Sequence, residues 1–123
     1  MPLVPYTSCN LSSINVHKFC TSAGEFKYNE LYTTAYEVAV LMDNLIDNMD
    51  FPDERFKKNV LKYRPMGVGI MGLSDALYEL GLAYDSKDGQ EFAEEVMKTV
   101  TTACLEASSD LAKDKGTFTD YDK

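Results

Sequence analysis

Positive charge is scarce in this chain: 12 Lys and Arg stand against 20 Asp and Glu over 123 residues, a formal net charge of −8. A surface for nucleic-acid polymers or anionic membranes needs clustered cations to neutralise phosphates, so both partners are excluded and any nucleotide chemistry must act on single nucleotides. Long apolar runs are missing too. None approaches the roughly eighteen residues of a membrane span, and the amino terminus, MPLVPYTSCN, has no basic segment followed by an apolar one. The expectation is a soluble, cytoplasmic chain. Cysteine is sparse and odd in number, with only Cys9, Cys20 and Cys104, which suits a reducing compartment and predicts no structural disulfide.

Histidine is nearly absent as well. His17 is the only one, and with Cys9 and Cys20 it offers three ligands at irregular spacing without a Cys-x-x-Cys knuckle, which excludes a zinc site. A carboxylate-bridged di-iron bundle would need Glu-x-x-His pairs that this sequence does not contain. Asp43, Asp47, Asp50 and Asp53 gather acid near one helix end, but their spacing and the lack of a glycine do not match a calcium loop. A solvated acidic helix end is expected there.

What is present is helical periodicity in a chain long enough for one domain, residues 1–123, whose core would cover about two thirds of the unfolded surface. Leu31, Ala35, Val38, Met42, Leu45 and Met49 step by fours and threes, predicting a helix over Asn29–Met49 with Glu30, Glu37, Asp43 and Asn44 on its opposite face. Pro52 can open a second helix, Asp53–Lys62, which Arg64 and Pro65 end. Ser74–Leu80, closed by Gly81, is a third. Phe92, Val96, Val100, Ala103, Ala107 and Leu111 make the longest helix, Lys87–Lys115, stopped by Gly116 and carrying Cys104 as a buried structural thiol. Two short strands complete the prediction, Thr7–Asn15 and Met66–Met71, so the fold class is mainly α with two short strands.

Two stretches invite chemistry. Gly67, Gly69 and Gly72 spell G-x-G-x-x-G, but the polar run Lys62–Met66 before them is too short for the buried strand of a dinucleotide fold, and no second strand follows. The glycines are better read as tight packing in a strand. The other stretch, PYTSCNLSSIN, sets Cys9 among β-formers and small polar residues. A lone cysteine in such a run is commonly an inert small hydrophobe.

Its context changes that. PLVPYTSCNLSSIN resembles the segment bearing one of two substrate-reducing cysteines in the catalytic subunit of ribonucleotide reductases, and is most similar to the adenosylcobalamin-dependent class II pattern PLxPYxxCNLGSIN. It departs from that pattern at Ser12, where glycine is usual. RPMGVGIMGLSDAL, Arg64–Leu77, is similar to the family's RxIGLGVMGLADxL, and ASSDLAKDKGTF, Ala107–Phe118, to its ASxxLAKExGxF. The matches run in order from Pro2 to about Tyr121. The resemblance implies an interior fragment from the second half of a ten-stranded α/β barrel, in which a thiyl radical elsewhere attacks the ribose and a cysteine pair supplies two electrons. Cys9 matches one of that pair, and Asn10, Leu11 and Ser12 would lie along the substrate. It also implies, for the complete enzyme, adenosylcobalamin as cofactor, with none bound by this fragment, and a thioredoxin-type reductant. The partners are a ribonucleotide and the remainder of the catalytic chain, which would carry the radical cysteine, so the fragment alone should be inactive. A split reductase completed by another polypeptide is one variant of this reading. A stand-alone helical interaction module without catalytic activity is the alternative.

Overall fold

The computed structural model describes residues 4–119 and 121, so Pro2 and Leu3 of the PLVPY match lie outside the described residues. The chain runs β1 (Asn10–Asn15), a 3₁₀ turn (Val16–Phe19), α1 (Tyr28–Asp47), α2 (Glu54–Tyr63), β2 (Met66–Met71), α3 (Leu73–Glu79) and α4 (Lys87–Lys115). This is the mainly helical pattern with two strands that periodicity implied. The strands pair in parallel, Asn10 opposite Met66 through Asn15 opposite Met71. Such a pair needs a long crossover, here supplied by α1 and α2.

The helix ends follow their signals. Ser86 Oγ accepts from Gly89 N at 3.0 Å to start α4, and Asp53 Oδ1 accepts from Arg55 N at 2.7 Å to start α2. After α3, Gly81 at φ 69° lets Leu82 N donate to Leu77 O at 2.8 Å and Gly81 N to Tyr78 O at 3.1 Å, closing the helix in a Schellman turn.

α1 packs along α4 and against the strand pair. Ala35 and Ala103 are fully buried, and their small side chains let the two backbones approach closely enough for Cys104 Sγ to donate to Ala35 O at 3.8 Å. Leu31, Val96 and Val100 fill the seam, while Ile14 and Val16 continue it beneath the sheet. Phe26 stands edge-on to Phe92 at 5.0 Å and closes one end.

Four expectations need correction. β1 begins at Asn10, not Thr7, because the residue that would pair with Cys9 is Pro65, which has no N–H to donate. The Val16–Phe19 turn was not anticipated. Met42 is buried as expected, but the α1 stripe takes Ala39 instead of Val38 and Ile46 instead of Leu45, leaving Val38 half-buried and Leu45 47% exposed. The fourth concerns Asp43, expected on the solvent face: it is 4% exposed, so the acidic helix end is not simply solvated.

Candidate functional site

Strand alternation sorts the Cys9 segment into two faces. On the helix side, Ile14 enters the core and Asn10 Nδ2 donates to Met42 O of α1 at 3.4 Å. Ser12 shares that side, and its Oγ is buried with no hydrogen-bond partner among the described residues. Leu11 and Ser13 lie on the opposite, open face, where Leu11 is 80% exposed.

Cys9 belongs to the open face. A Cβ placed on Gly67 would meet Leu11 Cδ2 at 2.8 Å and Cys9 Sγ at 3.9 Å, so the bare backbone of Gly67 is what lets both side chains lie over β2. The thiol is half-buried and donates to Asn10 O at 3.5 Å. Gly67 and Gly69 therefore sit within a paired strand, opposite Leu11 and Ser13, and form no phosphate loop. Of the four residues singled out from the sequence, the structure brings Cys9 and Leu11 together and turns the side chains of Asn10 and Ser12 away from them.

The approach to Cys9 is anchored from α2 by Arg55, Phe56 and Asn59, which the sequence did not single out. Tyr6 adopts φ 55° and packs edge-on against Phe56 at 5.7 Å, with the Arg55 guanidinium 4.3 Å above its ring. Asn59 Nδ2 donates to Pro5 O at 2.8 Å. α2 thus holds the turn that delivers the thiol. The helix itself was expected over Asp53–Lys62, but not these contacts.

Behind the sheet lies a four-charge network. Arg64 Nε donates to Asp43 Oδ1 at 2.6 Å, its NH2 group to Asp43 O at 2.9 Å and its NH1 group to Asp47 Oδ1 at 2.7 Å. From α4, Lys115 Nζ donates to Asp43 Oδ2 at 2.6 Å and Asp47 Oδ2 at 2.7 Å. Burial pushes the Asp43 carboxyl up, but the hydrogen bonds from Arg64 and Lys115 outweigh it and the group ends below its ordinary value. The bonds from Arg64, then Lys115, take Asp47 down to about 2. This network borders a cavity of about 570 Å³ lined by Val68, Val100, Cys104, Leu105 and Phe118 among others.

The other two thiols sit away from the open face. Cys20 Sγ donates to Ala76 O at 3.9 Å, and burial, then Glu79, raise its pKa. Burial raises that of Cys104, which is half-buried instead of fully enclosed. Among the described residues no three His, Cys, Asp or Glu side chains are grouped to hold a metal ion, and no helix is long and apolar enough to cross a membrane.

The family model for the ribonucleotide reductase barrel domain matches residues 1–123. A vitamin B12-dependent ribonucleoside-diphosphate reductase of Thermoplasma acidophilum is 36% identical over 117 residues, 95% of this chain and 15% of that protein. The ribonucleoside-diphosphate reductase subunit alpha of Chlamydia pneumoniae is 36% identical over 115 residues, 92% of this chain and 11% of the relative. A vitamin B12-dependent reductase of Mycobacterium tuberculosis is 33% identical over 118 residues, 96% and 17% of the two chains. The chain thus spans less than a fifth of the length of these relatives.

Proposed function

The chain belongs to the ribonucleotide reductase barrel-domain family, and on that premise we propose that it supplies Cys9, one of two substrate-reducing cysteines, to an enzyme that reduces ribonucleotides to deoxyribonucleotides. The observation carrying this reading is the Cys9 thiol on the open face of a parallel strand pair whose other face is covered by helices. In a closed barrel the helix-free face is the interior. The parallel pair is then part of the second half of a ten-stranded barrel, and the 123 residues are one unit within it.

The chemistry needs a sulfur at this position. Replacing the ribose 2′ hydroxyl by hydrogen takes two electrons and two protons from two thiols, which join as a disulfide while the hydroxyl leaves as water. A thiyl radical on a cysteine in the remainder of the catalytic chain initiates the reaction, and a thioredoxin-type dithiol restores the pair. Neither Cys20 nor Cys104 serves as the second thiol, since each bonds to a carbonyl on the helix side. The isolated chain is accordingly inactive. Leu11 lies along the substrate by its side chain, whereas Asn10 and Ser12 contribute as backbone.

The Pro5–Tyr6 form of the segment and the B12-dependent relatives support the class II branch, in which adenosylcobalamin supplies the radical. The residues present do not fit that group: the charges beside the large cavity are paired with one another, and the single histidine lies against Glu79 at 4.0 Å. Its site belongs to the rest of the enzyme. Three unpaired thiols suit a reducing, cytoplasmic setting. No observation favours the stand-alone interaction module.

Cys9→Ser in the complete reductase tests the assignment. Serine is nearly isosteric, so folding and radical generation persist, but multiple turnover disappears because an oxygen cannot enter the disulfide. Cys20→Ser and Cys104→Ser keep turnover. Repeated turnover by the Cys9→Ser enzyme with a dithiol reductant would refute the role.

A further inference from the structure

Cys9 lies just outside the paired strand, because the ladder starts at Asn10 and Met66. No ladder pairing fixes Cys9 itself; its thiol bonds to Asn10 O, so on the strand side its position depends on how Asn10 is held. A closed ring of interactions holds that neighbour. Asn10 Nδ2 donates to Met42 O, and the next residue along α1, Asp43, takes Arg64 at both its carboxylate (2.6 Å) and its main-chain oxygen (2.9 Å). Arg64 leads through Pro65 into Met66, which is the register partner of Asn10.

We propose that Asn10 and Arg64 are positioning residues for the Cys9 thiol, using the consecutive residues Met42 and Asp43 of α1 as a common reference for the starts of both strands. This rests on the reading of Cys9 as a substrate-reducing cysteine. The backbone supports it: Arg64 adopts φ 44°, ψ 53°, a left-handed conformation that a non-glycine residue holds only when its surroundings impose it. Arg64 is the C-cap of α2, its N–H donating to Val60 O at 2.7 Å, and three guanidinium bonds hold the side chain that leaves this turn. Lysine could not reproduce that planar fork. The geometry matters because a disulfide forms only when the Cβ atoms come within about 3.5–4.5 Å, and an error of about 1 Å in a reacting group can cost on the order of a hundredfold in rate.

The test compares Asn10→Ala and Arg64→Lys by iodoacetamide labelling of each cysteine, read by peptide mass spectrometry, and by steady-state kinetics. Both are done on the complete reductase carrying this segment, with Cys9→Ser in parallel. Asn10→Ala removes one long, half-buried hydrogen bond, so the fold survives even if Arg64→Lys weakens it. The expected result for Asn10→Ala is selective: Cys9 labels about fivefold faster or more while Cys20 and Cys104 hold their rates. Its kcat falls about tenfold or more with KM nearly unchanged. Arg64→Lys acts in the same direction. The double variant is no worse than the stronger single one, because both act through the same turn of α1 at Met42 and Asp43.

Equal acceleration at all three thiols would mean loss of fold and overturn the proposal. An unchanged Cys9 labelling rate would overturn it too, including the case of a raised KM, which would make Asn10 a direct substrate contact. Persistent turnover by Cys9→Ser would instead refute the catalytic reading while leaving the selective labelling as independent evidence for the clamp.

Discussion

Asp43→Asn removes the charge on which the network behind the sheet converges. Asp43 is 4% exposed and accepts from Arg64 Nε and Lys115 Nζ, both at 2.6 Å. An asparagine offers one side-chain oxygen and turns an N–H₂ donor toward the other cation, so one of the two short bonds becomes a donor facing a donor. Breaking a buried pair by removing one partner costs about 3–5 kcal/mol. Two features lower that figure: Lys115 keeps 38% of its side chain exposed, and Asp47 remains to receive both cations. A loss of about 2–4 kcal/mol is expected, against a total of about 5–15 kcal/mol for a domain. It should lower Tm by about 10 °C in a thermal melt followed by circular dichroism at pH 7.

The pH dependence gives a second reading of the same variant. Asp43 and Asp47 have folded pKa values below their ordinary one, Asp47 at about 2, so their stabilisation is present above the unfolded value of 3.8 and is lost as pH falls through the folded value. The gap between wild type and Asp43→Asn should therefore be full at pH 5 and above and shrink below about pH 4. A Tm within about 2 °C of wild type at pH 7, or a gap that widens on acidification, would refute the account.

Gly89→Ala is expected to reverse the usual sign of a helical glycine replacement. Alanine gains about 1 kcal/mol of propensity in a helix. A Cβ at this buried first-turn position of α4, however, runs into the Ala83 carbonyl oxygen, and overpacking costs about 1–3 kcal/mol. A net loss of up to about 2 kcal/mol in urea denaturation is expected, and any gain would show that the Ala83 turn yields freely. NAD should not bind at micromolar concentration in titration calorimetry, since Gly67 and Gly69 are inside β2. Saturable binding abolished by Gly69→Val would restore the dinucleotide reading.

Much of the fold was legible because its signals are local. β2 and α4 have the expected limits, Met66–Met71 and Lys87–Lys115, since Ser86 caps by reaching its own chain three residues on and Gly116 stops the helix with φ 84°. The misplaced stripe of α1 has a physical cause: the helix contacts both α4 and the sheet, and Val38 and Ala39 fit the period equally well. Asp43 was misread because its partners, Arg64 and Lys115, lie 21 and 72 residues away, and no window reveals them. At the site, the motif marked Cys9, but only the pairing with β2 shows that Leu11 shares its face while Asn10 and Ser12 turn toward α1. The Tyr6–Arg55 stacking joins residues in different elements and left no periodic trace.

The parallel pairing also sets a schedule for the thiol as the polypeptide is made. Asn10 can find its ladder partner only after Met66 has been synthesised, and the crossover helix α1 gains its main packing surface later still, with α4. At about 5–20 residues per second, Cys9 spends several seconds in a nascent strand with neither register nor neighbours. Contacts so distant in sequence also close slowly, because chain entropy is lost before any bond forms. The geometry around this sulfur is therefore among the last to be assembled. Until then no fold contact shields the thiol from off-pathway oxidation.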